Sequence, residues 1–228
     1  PRPALADFIV LPPGIERGEQ FTFRLAFVTS TTTNATSGDI GFYNDFVNDT
    51  ANAFADLAAF GFSWKAIVST LAIDAQGNTA TRPSFSPGGT LGVPIFLLDG
   101  TKLADSYDDL WDGSLDALFN VAEDGTTITS GPTIVGTGTS LNGSLFPGRP
   151  NGANFPEIGR ILSTDASWIQ FDSSLPTTER RIYALSDVIF FAIPAPTPLG
   201  LMIYGLASLA VMRSKRARSS LSRVRPVA

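Results

Sequence analysis

The 228-residue chain changes character at residue 193, and that break limits what any single fold can cover. Pro194, Pro196 and Pro198 follow in quick succession. A proline donates no backbone hydrogen bond and biases the residue before it away from the helical region, so no helix or central strand runs through this stretch. Residues 199–212 then carry no charge. Leu199, Leu201, Ile203, Leu206, Leu209 and Val211 supply apolar area, and Gly200, Gly205, Ala207 and Ser208 are small. The run is apolar on every face, whereas a helix packed on a soluble core is amphipathic. As a helix its roughly 14 residues span about 21 Å. That is short of the roughly 17–25 residues that cross a hydrocarbon layer, a deficit that snorkelling of Arg213 and Lys215 and local thinning can cover. The competing reading is a buried core helix with a solvated basic tail.

Charge favours the membrane reading. Residues 213–228 hold six basic residues and no acid, a net +6, with Arg213, Lys215, Arg216 and Arg218 closest to the apolar run. The other 212 residues hold ten Lys and Arg against 21 Asp and Glu, a net −11. A basic flank beside an apolar segment predicts a cytoplasmic end, with the acidic bulk outside. The acidic bulk also argues against a nucleic-acid partner.

Ile193-Pro-Ala-Pro, the short hydrophobic helix and the Arg-rich end occur in that order. Together they resemble the C-terminal sorting domain of PEP-CTERM proteins of Gram-negative and related bacteria, in a variant with Ile193 for Val and Ala195 for Glu. The resemblance covers roughly residues 193–218. It implies a transient membrane anchor, a sorting protease (exosortase-like) that recognises Ile193, Pro194, Ala195 and Pro196, and release toward the cell surface or exopolysaccharide matrix. The basic residues from Arg213 would be the stop. We therefore divide the chain into residues 1–6, an extracellular domain at 7–192 and a sorting tail at 193–228. The tail comprises a Pro-rich motif at 193–198, a hydrophobic helix at 199–212 and a basic end at 213–228. Ala4-Leu5-Ala6 has the small-x-small form of a signal-peptidase site, so residues 1–6 are expected to be a signal-peptide remnant, with an ordinary loop as the alternative.

The chain has no cysteine and no histidine. Disulfides, thiolate chemistry, Ser-His-Asp triads and His-ligated zinc are thereby excluded. Any catalysis would rest on carboxylates, hydroxyls, Lys or Arg. The Asn-x-Ser/Thr sequons at Asn34, Asn48 and Asn142 matter only in a eukaryotic secretory pathway.

The body reads as strands and loops with one main helix. Phe21-Thr-Phe-Arg-Leu-Ala-Phe-Val-Thr begins by alternating apolar and polar residues, as a strand does. Ser37 or Asp39 is a good N-cap for a helix carrying Phe42, Tyr43, Phe46, Val47, Phe54, Leu57 and Ala58 at helical spacing, with Gly61 as the stop. Further strands are expected at 63–70, at 93–98 before the Asp99-Gly100 turn, at 133–139, at 167–171 and over 181–191. A helical turn is expected at 108–111. The Gly- and Pro-rich loops at 82–92 and 142–156 are long for a small domain.

Ala26-Phe-Val-Thr-Ser-Thr, the early helix and Trp64-Lys-Ala-Ile-Val-Ser-Thr resemble the opening of bacterial extracellular domains related to the C-type-lectin and endostatin fold. Pro94-Ile-Phe-Leu-Leu-Asp-Gly-Thr-Lys-Leu-Ala, Asp108-Asp-Leu-Trp-Asp-Gly and Val135-Gly-Thr-Gly-Thr fit the middle. Trp168-Ile and Arg181-Ile-Tyr-Ala-Leu-Ser-Asp fit the closing strands. The resemblance implies a single α+β, C-type-lectin-like domain of mainly antiparallel strands. The usual disulfides and the Glu-Pro-Asn and Trp-Asn-Asp sugar signatures do not occur, so it implies no ligand.

Within the body, Asp105, Asp108, Asp109 and Asp112 form the candidate oxygen-ligand set for Ca²⁺, against a solvated, helix-capping loop. Asp99 belongs to the same acidic run, but its spacing is not that of an EF-hand. Glu157, Asp165 and Asp172 are scattered acids from which a paired-carboxylate glycosidase would have to draw. Trp64, Trp111 and Trp168 offer a sugar-stacking platform or core positions, and their apolar neighbours favour the core. The polar loop from Asn142 to Asn154 is the expected ligand location. No cofactor is expected beyond that Ca²⁺ candidate. The expected role is non-catalytic, structural or adhesive, with polysaccharide as partner. A carboxylate-dependent carbohydrate-active enzyme and a permanently anchored single-pass protein are the alternatives.

Overall fold

The computed structural model describes residues 20–83 and 92–192. The expected signal remnant at 1–6, the Ser86-Pro-Gly-Gly-Thr loop and the whole sorting tail lie outside them. Among the described residues no helix is long and apolar enough to cross a membrane.

The fold is α+β. Its strands are β1 (Gln20–Val28), β2 (Trp64–Ala66), β3 (Ile95–Leu97), β4 (Lys102–Ala104), β5 (Ile134–Gly136), β6 (Glu157–Arg160), β7 (Asp172–Ser173), β8 (Tyr183–Ser186) and β9 (Ile189–Ala192). Its helices are α1 (Ile40–Ala53), α2 (Ala55–Ala58), α3 (Ala75–Thr79) and α4 (Tyr107–Leu110). The larger sheet runs β2-β8-β1-β3-β4, with β9 also pairing with β1, and β5-β6-β7 form a second sheet. Only β1 and β3 pair in parallel among the registers described.

Strand β1 is central, and this explains why its alternation fades. Phe23, Leu25 and Phe27 face one side; Arg24, Ala26 and Val28 face the other and are buried too. A buried guanidinium needs partners. Arg24 Nε donates to Ser186 O at 2.6 Å, Nη1 donates to Thr79 O at 2.7 Å, and Tyr107 covers the group with its ring centroid 5.7 Å away.

Helix α1 starts where expected. Asp39 accepts from Gly41 N at 2.9 Å, and Tyr43, Val47, Thr50 and Ala51 form its buried stripe. Phe42 lies off that stripe, 42 % exposed. The helix does not run unbroken to Gly61. The Thr50 hydroxyl donates to Phe46 O, the last turn tightens as Phe54 N donates to Ala51 O, and Phe54 turns extended before α2 restarts. Helix α2 ends at Ala58, and Gly61 closes the turn that follows at φ +65°, the left-handed conformation that glycine adopts without strain.

Strand β2 lies at the edge of the sheet, and asparagine amides close that edge. Asn48 Oδ1 accepts from Trp64 N at 3.0 Å, and its Nδ2 donates to Trp64 O at 2.7 Å. Asn44 Oδ1 accepts from Ala66 N at 2.9 Å, and Asn78 Nδ2 donates to Ala66 O at 2.7 Å. Asn44 and Asn78 also bond each other in both directions at 2.9 Å. Side chains thus do what a further strand would do, and little of β2 is left as a template for another chain.

Three sequence expectations need correction. Residues 167–171 are not a strand: Ala166–Trp168 is a 3-10 turn, because Asp165 accepts from Ser167 N at 2.8 Å and caps it. The stretch 181–191 is two strands, separated where Ser186 Oγ donates to Asp187 O and Asp187 N donates to Ser63 O. The expected strand at 63–70 is a regular strand only over β2, with one further ladder bond from Ile67 N to Tyr183 O. Beyond it, Ser69 N donates to Thr137 O and Thr70 N to Ile73 O, so the chain has left the sheet.

Candidate functional site

The acidic run after β3 is organised by its own backbone. Asp99 accepts from Thr101 N at 2.9 Å in the β3–β4 turn. Ser106 caps α4 by accepting from Asp109 N at 3.2 Å, and the Asp109 carboxylate reaches back to Asp105 N at 2.6 Å. This reciprocal pattern is a capping box displaced by one residue. Asp112 turns away, accepting from Ser114 N at 2.8 Å and Ser114 Oγ at 2.9 Å.

Of the four candidate ligands, Asp105 and Asp109 come together; Asp108 and Asp112 do not join them. Their place is taken by Asp116, whose carboxylate oxygen lies within 4.8 Å of those of Asp105 and Asp109. A cation already sits among them. Lys102 Nζ is 2.6 Å from Asp105 Oδ1 and 2.9 Å from Asp116 Oδ2, and these two carboxylates, Asp105 first, hold its pKa above the usual lysine range. A metal ion would have to displace that ammonium, and Asp109 would have to give up Asp105 N. Asp116 lies eleven residues beyond Asp105 and returns through its N–H bond to Leu103 O, a long-range pairing with no local sequence signal.

The tryptophans are core residues. Trp64, Trp111 and Trp168 are 1 %, 4 % and 0 % exposed, so no sugar face can lie on them. Trp111 stacks on Trp168 at 5.8 Å, Trp168 meets Tyr183 at 5.6 Å, and Tyr183 stacks on Phe119 at 4.1 Å. The large aromatics that do reach solvent include Phe155, Phe171 and Phe190, none of which stood out in the sequence. The Phe171 face carries the Arg160 guanidinium at 3.5 Å.

The loop from Asn142 to Asn154 is pinned along its length. Asn142 O accepts from Gln76 Nε2 at 2.6 Å, and Phe146 N donates to Gly138 O. Asn151 N donates to Ser69 O, and Gly152 N to Ala35 O. Gly143 sits at φ +78°, where any Cβ would lie 2.6 Å from the Trp111 ring. The loop is therefore a fixed surface rather than a free strap.

Among the scattered acids, Glu157 is the unusual one. It is 1 % exposed, and burial raises its pKa against the opposing Arg149 guanidinium, 3.1 Å away. Asp172 lies beside it on β7 and pushes in the same upward direction. Asp165 is held below the usual carboxylate range by the Ser163 hydroxyl and then by Ser167. Two carboxyls side by side, one of them raised by burial, are the arrangement from which an acid–base pair is built. Glu157, however, is sealed under its own strand and bonded to Arg149, out of reach of a substrate.

No protein-family profile matches the chain, and no curated protein matches it.

Proposed function

We propose that the chain is an exported bacterial cell-surface or exopolysaccharide-matrix protein with a non-catalytic, structural or adhesive role, delivered by its C-terminal sorting signal. The observation that carries this reading is the ordered tail: Ile193-Pro-Ala-Pro, an uncharged run at 199–212, and six basic residues without an acid after it. The body supports it in chemical terms. Its tryptophans are spent on the core, two of the three carboxylates of its acidic cluster are paired with Lys102, and its raised carboxyl is enclosed. The domain itself we read as C-type-lectin-like. Support comes from β1 and β8 lying side by side and antiparallel, from α1 packing on β2, and from the second small sheet.

The test is the intact mass of the protein in each fraction of its native cells. A released form ending near residues 194–198 is the expected result. A membrane form retaining residues 213–228 would make the tail a permanent anchor. The enzymatic alternative rests on Glu157 beside Asp172. Glycan turnover abolished by E157Q would favour it, and glycan binding without turnover would favour the adhesive role.

A further inference from the structure

Arg180 is a buried charge without a partner of opposite sign. Its main chain is fully used: its N–H donates to Thr33 O and its carbonyl accepts from Thr33 N, both at 2.8 Å. Its side chain is enclosed, the whole residue being 1 % exposed. Nη2 donates to Leu175 O, but Nε and Nη1 have no hydrogen-bond partner among the described residues. None of the ion pairs among those residues includes it. Of the two groups whose fields reach it, Tyr43 and then Glu179, the phenol is protonated at ordinary pH and Glu179 is exposed. Its neighbour Arg181 shows the ordinary solution, with Nε on Pro132 O and Nη1 on Thr29 O and Ser30 O. An arginine does not discharge at ordinary pH, so enclosure leaves a positive charge that calls for a counter-charge.

Other unpartnered polar groups converge on the same place. Asn151 is 1 % exposed, and neither Oδ1 nor Nδ2 has a partner. Thr70, its parallel register neighbour, is 0 % exposed with an unpartnered hydroxyl. Gly136 adjoins both Arg180 and Asn151: a methyl at that position would lie 3.6 Å from Arg180 Cδ and 3.9 Å from Asn151 Nδ2. The Tyr43 hydroxyl, which donates to Ser37 O at 2.8 Å, feels both the Arg180 charge and the Asn151 amide.

We propose that Arg180 and Asn151 bind a small monovalent anion in the interior of this domain, beside Gly136. One guanidinium among neutral donors matches one negative charge. A dianion would leave an uncompensated charge of the other sign, and a neutral occupant would leave the guanidinium unmatched. The small monoanions compared are halide and formate. The same donors serve either, so the experiment separates the two. The site stands independently of how the protein is exported.

The test is thermal unfolding of the full chain in sodium sulfate at fixed ionic strength, with chloride, bromide or formate replacing sulfate. The expected result is a saturable rise in Tm with a small monoanion, lost completely in R180M. In G136A, whose methyl fits at ordinary contact distances, the rise needs a higher anion concentration. Saturation by the halides alone identifies a halide site, and saturation by formate as well identifies a carboxylate-sized one. Equal salt dependence in the wild type and R180M overturns the proposal. If R180M does not fold, a bromide-soaked crystal decides. An anomalous peak within hydrogen-bond distance of Arg180 supports the site, and its absence overturns it.

Discussion

Asparagines do opposite things on two sides of this domain. At the β2 edge, half-buried Asn44, Asn48 and Asn78 spend their amides on strand backbone or on each other. Beside Gly136, the side chain of fully buried Asn151 has no partner in hydrogen-bond geometry among the described residues, and Arg180 Nε and Nη1 and the Thr70 hydroxyl have none either. Polarity in an interior is normally answered by the nearest backbone. Where it is answered, the residue is part of the architecture; where it is not, the residue is available to something else.

The sharpest way to break this contrast is to change one asparagine from each side to leucine. In N48L both Trp64 N and Trp64 O lose their partners, so urea unfolding should show a loss of about 2–4 kcal/mol. In N151L no protein hydrogen bond is lost, and the change in chloride-free sulfate should stay near 1 kcal/mol in either direction. Equal losses would erase the distinction.

Comparable to the N48L loss is an effect of pH. Tyr43 lies on α1 but turns its hydroxyl toward Arg180, and burial pushes its pKa up to about 12. A raised acid pKa means that the neutral phenol is favoured in the folded state. Stability is therefore intact below the unfolded value of about 10 and is lost as pH rises from there through about 12, by about 3 kcal/mol. Buried Tyr183, also raised by burial, acts in the same direction. A Y43F variant should show a flatter alkaline decline, measured by urea midpoints across that range. A decline unchanged in Y43F would remove Tyr43 from the account.

The smallest effect belongs to the acidic cluster. Lys102 and its partners are largely solvated, so K102M should cost on the order of 0.5 kcal/mol by chemical denaturation. A loss comparable to that of N48L would mean that the cluster is structural.

Local patterns could be read from this sequence; returning chains could not. Strand β1 and helix α1 announced themselves by periods of two and of 3.6, and the three tryptophans by their apolar neighbours. Strands β4 and β6 escaped, being three and four residues long and formed only because distant partners sit beside them. Asn48 stands out in the sequence only as a sequon and Asn44 not at all; nothing local says that they face a strand edge. Arg180 and Arg181 are adjacent and chemically identical, yet Arg181 spends Nε and Nη1 on carbonyls while the same two atoms of Arg180 have no partner among the described residues. Of the sequence's candidate set Asp105, Asp108, Asp109 and Asp112, only Asp105 and Asp109 meet, and Asp116 reaches them only by tertiary folding.

The asparagine-closed edge also sets a chemical clock. Amides hydrolyse slowly to carboxylates, and an aged Asn48 would exchange its donor for an ionised oxygen facing the Trp64 carbonyl. The edge would then repel where it had been fastened, and β2 would become open to strand exchange between molecules.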